Sequence, residues 1–336
     1  MKWPTACVED ADVLKVRLPV DDTIFISVAS YCDPLLAFTL NSARAQASRP
    51  ERVFVGLVDQ HAPGAAHRPQ DEWSLQHVRC TPVPALQARG PCWARALAMA
   101  LYQGEDWFLQ VDSHTWFEPG WDEHLVAWGR RCTQANPRAL LTCYPNPFTL
   151  GAHGPVATLV SHQVLAFAVK ADSDFAADHP VLMFECVPVV SDEPVPAIHL
   201  AGGALFAPGR LVQELPYDPR LYFHGEEQAL ALRAYTHGWD LWQVPGMPLY
   251  HLYTPPGAAP RPMHWSPELD AQRSVRSAAL EQAARQRLRA LLWEGADLGA
   301  FGLGRVRSLA DYAAFSGIDY PARVVHPAAR KARFGY

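Results

Sequence analysis

The sequence predicts an α/β protein whose central sheet begins with parallel strands joined by crossover helices. Up to residue 111, strand-like and helix-like segments alternate, which is the pattern of βαβ units. Polar residues follow the predicted strands directly, and such sheets bind ligands at the carboxyl ends of their parallel strands. We therefore expect a sheet flanked by helices, with a ligand site at one edge.

The clearest secondary-structure signals lie in the N-terminal half. The elements predicted there are strands at residues 23–29, 52–58 and 106–111, helices at about 33–47 and 92–102, and a loop at 61–70. Asp33 and Pro34 indicate the cap and first turn of the first helix, and Gly104 indicates the end of the second. Ser30-Tyr31, Asp59 and Asp112 then stand at the carboxyl ends of parallel strands, where such sheets bind their ligands.

The second half has shorter runs, and no internal repeat is visible. Its predicted elements are antiparallel strands extending the sheet within residues 139–201 (such as 155–160 and 163–169), a loop at 171–180, a helix at 226–237 capped by Gly238, a strand at 241–244, a long helix at 267–293 and a short helix capped by Ser308 and reaching 315. Residues 255–267 contain five prolines and predict an extended connector or a flap over the site.

Composition narrows the class of protein. The chain has 336 residues, 49% hydrophobic, with a net charge of −5, which gives no general attraction to polyanions or anionic membranes. No apolar run approaches the ~20 residues of a membrane span, and the N-terminus lacks a signal-peptide core. The seven scattered cysteines contain no C-x-x-C and indicate reduced thiols. We expect a cytoplasmic enzyme with no membrane partner.

Asp112-Ser113-His114 is the most informative motif, because it directly follows the third predicted strand. On an extended strand, residues two apart point the same way, so Asp112 and His114 can converge on one ion. A carboxylate with an imidazole suits Mn²⁺, whereas Mg²⁺ prefers oxygen ligands alone. The alternative is ordinary polarity in a loop after a strand.

The segments around this motif resemble the GlcNAc-transferase family typified by a cytoplasmic enzyme that modifies hydroxyproline on a ubiquitin-ligase subunit. The segments that carry the resemblance are residues 24–34, 89–95, 109–122, 201–206, 224–240 and 302–318. They span roughly residues 20 to 320 in the order of the family. The polypeptide GalNAc-transferases are more distantly similar, with a D-x-H, a Gly-Gly and a G-E pair in the same order.

The resemblance implies the GT-A glycosyltransferase fold, a Rossmann-like mixed sheet flanked by helices with a C-terminal helical extension. It implies a catalytic domain at 1–255, a Pro-rich connector at 256–267 and the extension at 268–336, packed on the catalytic domain. The implied donor is a UDP-sugar, such as UDP-GlcNAc, UDP-GalNAc or UDP-Glc. The implied cofactor is Mn²⁺ or Mg²⁺, with His251 as a third ligand beside Asp112 and His114.

The remaining candidate residues divide between the sugar and the nucleotide. The resemblance assigns the backbone of Gly202 and Gly203 to the donor sugar, and the carboxylate of Glu226, with Glu227 as the second candidate, to its hydroxyl groups. Asp112, Glu226 and Glu227 are the catalytic candidates. The nucleotide candidates are Ser30, Tyr31, Asp59, Arg89 and Gly90, with Arg95 ranked below Arg89. Each has a structural alternative, such as a turn, a bulge or a solvated helix start.

The resemblance further implies a retaining transfer to a hydroxyl acceptor on protein or glycan, without a dedicated enzymic nucleophile. A hydroxymethylated pyrimidine in DNA stays open as another acceptor. The arginines that could meet DNA phosphates, or form a solvated helix face, are Arg273, Arg276, Arg285, Arg287, Arg289, Arg305 and Arg307.

A non-haem Fe(II) oxygenase would use the same ligand types. Its usual H-x-D order is reversed here, and its β-helix would not begin with alternating strands and helices.

Overall fold

The structure is a computed structural model and describes residues 22–62, 64–65, 71–158, 163–253 and 262–331. The strands in chain order are β1 (Ile24–Tyr31), β2 (Val53–His61), β3 (Val78–Pro84), β4 (Trp107–Asp112), β5 (Thr115–Phe117), β6 (Ala139–Thr142), β7 (Asn146–Gly151), β8 (Gly154–Ala157), β9 (Val164–Val169), β10 (Phe184–Val189), β11 (Val195–Pro196), β12 (Ala204–Pro208), β13 (Asp240–Gln243), β14 (Leu249–His251), β15 (Ile318–Asp319) and β16 (Val324–Val325). The helices in chain order are α1 (Leu36–Gln46), α2 (Glu72–His77), α3 (Pro91–Met99), α4 (Trp121–Thr133), α5 (Leu211–Glu214), α6 (Glu226–Thr236), α7 (Pro267–Asp270), α8 (Ser277–Leu292) and α9 (Leu309–Ser316).

An eight-stranded mixed sheet organises the chain, in the order β11-β13-β6-β12-β4-β1-β2-β3. Strands β4, β1, β2 and β3 run parallel, whereas β12 is antiparallel to both β4 and β6. Ala29 pairs with Asp112 and Ser30 pairs with Asp59, so the carboxyl ends of these strands lie side by side. The predicted α/β class and GT-A-like arrangement of a mixed sheet flanked by helices are confirmed.

Two N-terminal predictions need correction. Asp33 does not cap α1, which begins at Leu36 after Leu35, because the Asp33 carboxylate bonds elsewhere. Strand β2 continues through Asp59 to His61, so Asp59 lies inside the strand. Part of the predicted 61–70 loop, residues 63 and 66–70, lies outside the described residues.

Three N-terminal elements, α2, β3 and α4, were absent from the sequence prediction. Pro82 and Pro84 make β3 hard to recognise in the sequence, because proline is uncommon within strands. Strand β3 tolerates these prolines because it lies at the edge of the sheet. Helix α4 had a usable signal: two acidic residues in its first turn and two arginines in its last, which complement the helix dipole.

The strands between residues 139 and 201 are largely antiparallel, as predicted, but most of them do not extend the main sheet. Strands β9 and β10 pair only with each other, and β5-β14-β7-β8 form a separate four-stranded sheet. From this region, β6 and the short β11 join the main sheet. Residues 159–160 of the predicted strand at 155–160 lie outside the described residues.

The predicted helix over residues 267–293 is broken into α7 and α8. The Asp270 carboxylate accepts a bond from the Ser277 backbone N–H at 2.7 Å, and the Arg273 side chain turns inward instead of following a helix face. Periodicity did not reveal this break, because it depends on tertiary partners of Arg273. Residues 256–261 of the predicted connector lie outside the described residues.

The core has a layer on each face of the main sheet, since alternate strand residues point to opposite faces. Ile24 and Ile26 belong to the core cluster that includes residues of α1 and α4, whereas Phe25 belongs to the cluster that includes residues of α3, α6 and the C-terminal helices. Ser308 caps α9 through a capping box with Asp311, as the sequence predicted. Among the described residues, no helix has the length and apolar character that crossing a membrane demands.

Candidate active site

A cavity of about 370 Å³ opens where the parallel strands end. Its walls come from distant parts of the chain: the ends of β1, β2 and β4, the starts of α3 and α6, and residues 181–184 and 262–265. The predicted site residues that line it are Tyr31, Gly90, Asp112, His114, Gly203, Glu226, Glu227 and His251. Ser30, Asp59, Arg89 and Gly202 do not line this cavity.

Asp112, His114 and His251 form the metal-ligand cluster found among the described residues. Their ligand atoms all lie within 4.8 Å of one another. His114 Nε2 and His251 Nε2 are 2.9 Å apart, and His251 Nε2 is 3.1 Å from Asp112 Oδ2. Two imidazole nitrogens and one carboxylate oxygen therefore converge on one point, a donor set that fits a first-row divalent cation.

His251 reaches the motif through the small sheet. Strand β14 pairs antiparallel with β5, which places His251 opposite Thr115, directly after the D-x-H turn. The Leu252 backbone N–H also donates to the His114 carbonyl at 3.1 Å. Backbone pairing thus holds together two histidines that are far apart in sequence.

Gly203 lies directly beside the metal-ligand cluster. A Cβ atom at this position would lie 2.7 Å from Asp112 Oδ2 and 3.8 Å from the His251 ring. Gly202 is similarly close to Arg95, where a Cβ would meet Nη1 at 2.4 Å. The two glycines therefore let the backbone pass directly beside the Asp112 and Arg95 side chains.

Arg95, which the sequence analysis ranked below Arg89, is the arginine inside the cavity. Its guanidinium is buried and donates to Asp112 Oδ1 at 2.8 Å and to Glu226 Oε1. Arg89 is exposed and faces a second pocket beside Trp93. Arg95 lies in the cavity because its position on α3 faces inward. A single arginine in the sequence does not indicate which way its side chain points.

Glu226 and Glu227 have different surroundings. Glu226 is buried, and both of its oxygens are engaged, one by Arg95 and the other by the Cys92 thiol at 2.8 Å. Glu227 keeps 30% of its side chain exposed, while its Oε1 accepts a bond from the Gly202 N–H at 2.6 Å. Glu227 is thus the carboxylate more open to a ligand in the cavity.

The pKa values of Asp112 and Glu226 shift in opposite directions. Burial opposes ionisation of Asp112, but the hydrogen bond with His251 and the charges of Arg95 and the histidines hold its pKa well below the usual range. Burial raises the pKa of Glu226, although Arg95 and Cys92 oppose this shift. Asp112 is thereby maintained as an anion, the form that binds a metal.

The ends of β1 and β2 contribute Tyr31 and Gln60 to the cavity. Gln60 donates from Nε2 to the Ser30 carbonyl at 2.9 Å, so Ser30 acts here through its backbone. The buried Arg273 side chain donates to the Tyr31 hydroxyl and lies over its ring, 5.6 Å from the centroid. Sequence reasoning missed Gln60 and Arg273, since neither belongs to a recognisable motif.

Asp33 is another residue whose position the sequence analysis misjudged. Its Oδ2 accepts a bond from His114 Nδ1 at 2.7 Å and from the Ser113 hydroxyl at 2.8 Å. Burial raises the pKa of Asp33, but the hydrogen bonds from His114 and Ser113 outweigh this effect, so the net shift of its pKa is downward. The sequence signal was a polar residue shortly after β1, and we interpreted that residue as the cap of the first helix.

An aromatic wall lies beside Glu227. The buried His199 ring stacks on Phe184 at 3.8 Å between centroids, and its Nε2 lies 3.5 Å from Glu227 Oε2. Tyr144 lines the same side of the cavity, and its phenol contacts Glu227. These residues occur in short apolar runs that sequence patterns do not distinguish from core.

The mixed sheet, with a possible metal site where its parallel strands end, is arranged as in the GT-A fold. The chain belongs to the family described as glycosyltransferase (GlcNAc), whose model matches residues 23–69 and 63–322. An oxygenase is thereby set aside: the ligand types agree with that class, but the family and the fold do not. No curated protein sequence matches the chain significantly.

Comparison with solved structures places the fold. The structure of GalNAc-T7 with UDP, GalNAc and Mn²⁺ is similar with a TM-score of 0.55 at 15% identity, covering 82% of this chain. The chain spans only 49% of that protein's resolved length. Residues 1–349 of TarS from S. aureus give a TM-score of 0.41 at 12% identity, covering 80% of this chain and 72% of that one. At 15% identity, the likeness to GalNAc-T7 concerns the fold alone.

Proposed function

We propose that the protein is a metal-dependent, retaining glycosyltransferase that moves a sugar from a UDP-sugar to a hydroxyl group. The observation that carries this proposal is the convergence of Asp112, His114 and His251 beside Glu227 within one cavity. UDP-GlcNAc, UDP-GalNAc and UDP-Glc are the donors to consider. The family supports a glycosyl donor, and a GT-A relative solved with UDP and Mn²⁺ supports this nucleotide and metal.

Asp112, His114 and His251 would hold the cation, with Mn²⁺ favoured over Mg²⁺ because two of the three ligands are imidazoles. The bound cation would neutralise the departing diphosphate as a Lewis acid. Arg95 keeps Asp112 oriented through its 2.8 Å hydrogen bond. Tyr31 and Gly90, at the other side of the cavity, would contact the nucleotide.

In this proposal, Glu227 rather than Glu226 contacts the donor sugar. Glu227 has an exposed fraction facing the cavity and is fixed by the Gly202 N–H and by Tyr144. Glu226 instead balances the buried Arg95 charge. A carboxylate held this way can accept hydrogen bonds from the sugar hydroxyl groups without moving. Such preorganisation lowers the barrier to transfer.

Retention would follow from attack on the same face as the leaving group. The acceptor oxygen forms the new bond to the anomeric carbon as the bond to the diphosphate breaks, and a diphosphate oxygen takes the acceptor proton. The chain then contributes orientation and charge stabilisation through Glu227, Arg95 and the metal ligands.

A protein or glycan acceptor is favoured over DNA by the arginines of the C-terminal region. Arg287 lies 2.5 Å from Asp218, and Arg307 lies 2.5 Å from Asp240. Arg273 points into the core. The predicted arginine strip is therefore not one continuous basic face, and the net charge of −5 adds no attraction to phosphates.

The domain division and the location are part of the same proposal. We retain a catalytic region at 1–255, a connector at 256–267 and an extension at 268–336. A cytoplasmic location is supported by the free state of the six described cysteines, which include the buried Cys92 and Cys143.

The test is a panel of nucleotide sugars incubated with the full chain and Mn²⁺, scored for release of the nucleoside diphosphate. We expect UDP release from one or more UDP-N-acetylhexosamines or UDP-Glc, lost in EDTA and restored by Mn²⁺. Asp112→Ala should abolish release while the circular dichroism spectrum stays unchanged. Undiminished turnover in EDTA would refute the metal role. Exclusive use of another nucleotide would refute the proposal that the donor is a UDP-sugar.

A further inference from the structure

We propose that Asp33 is a positioning residue of the metal site, which holds the His114 ring in the tautomer and orientation that present Nε2 to the cation. This inference rests on the metal role in the proposed function. Asp33 precedes α1 and does not belong to the ligand cluster, yet it lines the same cavity.

The Asp33 carboxylate is itself fixed from several directions. Its Oδ1 accepts a bond from the Leu35 backbone N–H at 2.9 Å, and its Oδ2 accepts the Ser113 hydroxyl at 2.8 Å as well as His114 Nδ1 at 2.7 Å. Only 3% of the side chain is exposed. A buried carboxylate with this many donors has little freedom to rotate. Asp33 therefore holds the His114 ring in a fixed position relative to the start of α1.

The contact determines which nitrogen of His114 carries hydrogen. An ionised carboxylate only accepts hydrogen bonds, so His114 Nδ1 must be the donor. Nε2 of the neutral ring then carries the lone pair, and Nε2 is the atom that lies 2.9 Å from His251 Nε2. A carboxylate behind a metal-binding imidazole also raises the basicity of the ligand.

The second histidine of the cluster lacks this support. His251 Nδ1 is buried and has no hydrogen-bond partner among the described residues. The two imidazoles are thus held differently, His114 by a carboxylate and His251 by its place on β14. Removing the Asp33 charge should consequently affect His114 and leave His251 unchanged.

The experiment titrates the full chain with Mn²⁺ alone by calorimetry, comparing wild type with Asp33→Asn. We expect roughly 10- to 100-fold weaker Mn²⁺ binding, the usual loss when the carboxylate behind a ligating histidine is removed. The matched control is Asp122→Asn. Asp122 is equally buried and accepts bonds from the Ser48 and Arg49 N–H groups at 2.8 and 2.9 Å, away from the cluster. It should lower the melting temperature without changing Mn²⁺ affinity.

A second measurement already gives a result on the wild type alone. In ¹⁵N-histidine spectra of the metal-free wild type, His114 should be protonated on Nδ1, and Asp33→Asn should increase the share protonated on Nε2. Equal Mn²⁺ affinity in both proteins, or an Nε2-protonated His114 in wild type, would overturn the role of Asp33. A wild type that binds no Mn²⁺ would instead refute the metal role in the proposed function, and the ¹⁵N spectra would still decide the contact.

Discussion

At the residue scale, Gly203 shows how closely the backbone approaches the metal-ligand cluster. Its φ angle is outside the left-handed region, so an alanine would meet no conformational strain of its own. The obstacle is space, since the added Cβ would lie 2.7 Å from Asp112 Oδ2. The requirement for glycine here therefore comes from the ligand carboxylate.

Gly203→Ala should weaken Mn²⁺ binding by on the order of tenfold or more, because Asp112 has to rotate away from the two histidines. Gly151→Ala is the control, since its Cβ would make an ordinary 3.4 Å contact with Val156. Calorimetry of both variants measures the difference. Wild-type Mn²⁺ affinity in Gly203→Ala would show that Asp112 is not pressed against this backbone.

The two adjacent glutamates should respond differently to removal of charge. We expect Glu227→Gln to lower kcat by roughly 10²- to 10³-fold, a loss typical of a preorganised polar group, with UDP affinity nearly unchanged. Glu226→Gln should mainly lower the melting temperature, because the buried Arg95 loses a charged partner. Kinetics, UDP titration and thermal unfolding separate these effects. A stable but inactive Glu226→Gln beside an active Glu227→Gln would exchange the two roles.

At the scale of elements, the segment from residue 262 to α7 forms one wall of the cavity. His264 donates from Nε2 to the Ala88 carbonyl and accepts the Tyr222 hydroxyl on Nδ1, both at 2.8 Å. Arg273 adds a bond to the His264 carbonyl. The neutral His264 ring therefore anchors this segment to the start of α3.

Acid should loosen this segment. Burial lowers the pKa of His264, and the charge of Arg273 lowers it further, against an opposing contribution from the Ala88 carbonyl. Protonation thus favours the open or unfolded state. The stabilisation is complete above the ordinary pKa of about 6.5 and falls as the pH drops through the window below it, by at most about 1.4 kcal/mol per pH unit.

Hydrogen exchange of amides 263–273 between pH 7.5 and 5.5, corrected for intrinsic rates, measures this effect. Protection should decrease with acid in wild type and depend less on pH in His264→Gln, which keeps polar groups but does not titrate. An identical pH profile for the two proteins would assign the loosening to another group.

At the scale of the whole molecule, the C-terminal region contributes to the same core as the sheet. Leu288 on α8 and Tyr312 on α9 belong to the cluster that contains Phe25 and Phe108. Leu288 also fills the space beside Gly225, where an added Cβ would meet it at 2.6 Å. The helices after residue 276 thereby support the start of α6, which carries both glutamates.

Leu288→Ala should destabilise the protein by about 2–5 kcal/mol, since it removes a fully buried side chain and leaves a cavity. Leu75→Ala is the control, because Leu75 is 69% exposed and should change stability by less than about 0.5 kcal/mol. Urea unfolding gives both values. Equal stability of the two variants would show that α8 does not pack on α6 in solution.

The fold class and the centre of the candidate site were predictable from sequence, because both depend on short-range patterns. Alternating strand and helix signals are local, and so is the spacing of Asp112 and His114 at a strand end. Family resemblance added His251, whose proximity to the motif the structure bears out. The helix start at Glu226 was equally visible, with Gly225 before it.

Tertiary structure alone decided which side chains surround these residues. Asp33 contacts His114 instead of capping α1, Arg95 replaces Arg89 in the cavity, and Arg273 turns inward to break a helix that periodicity predicts as continuous. The physical reason is common to all three. A buried charge is stable only beside compensating partners. The partners here include His114, Glu226 and Tyr31, which are remote in sequence and come close only when the sheets and helices pack.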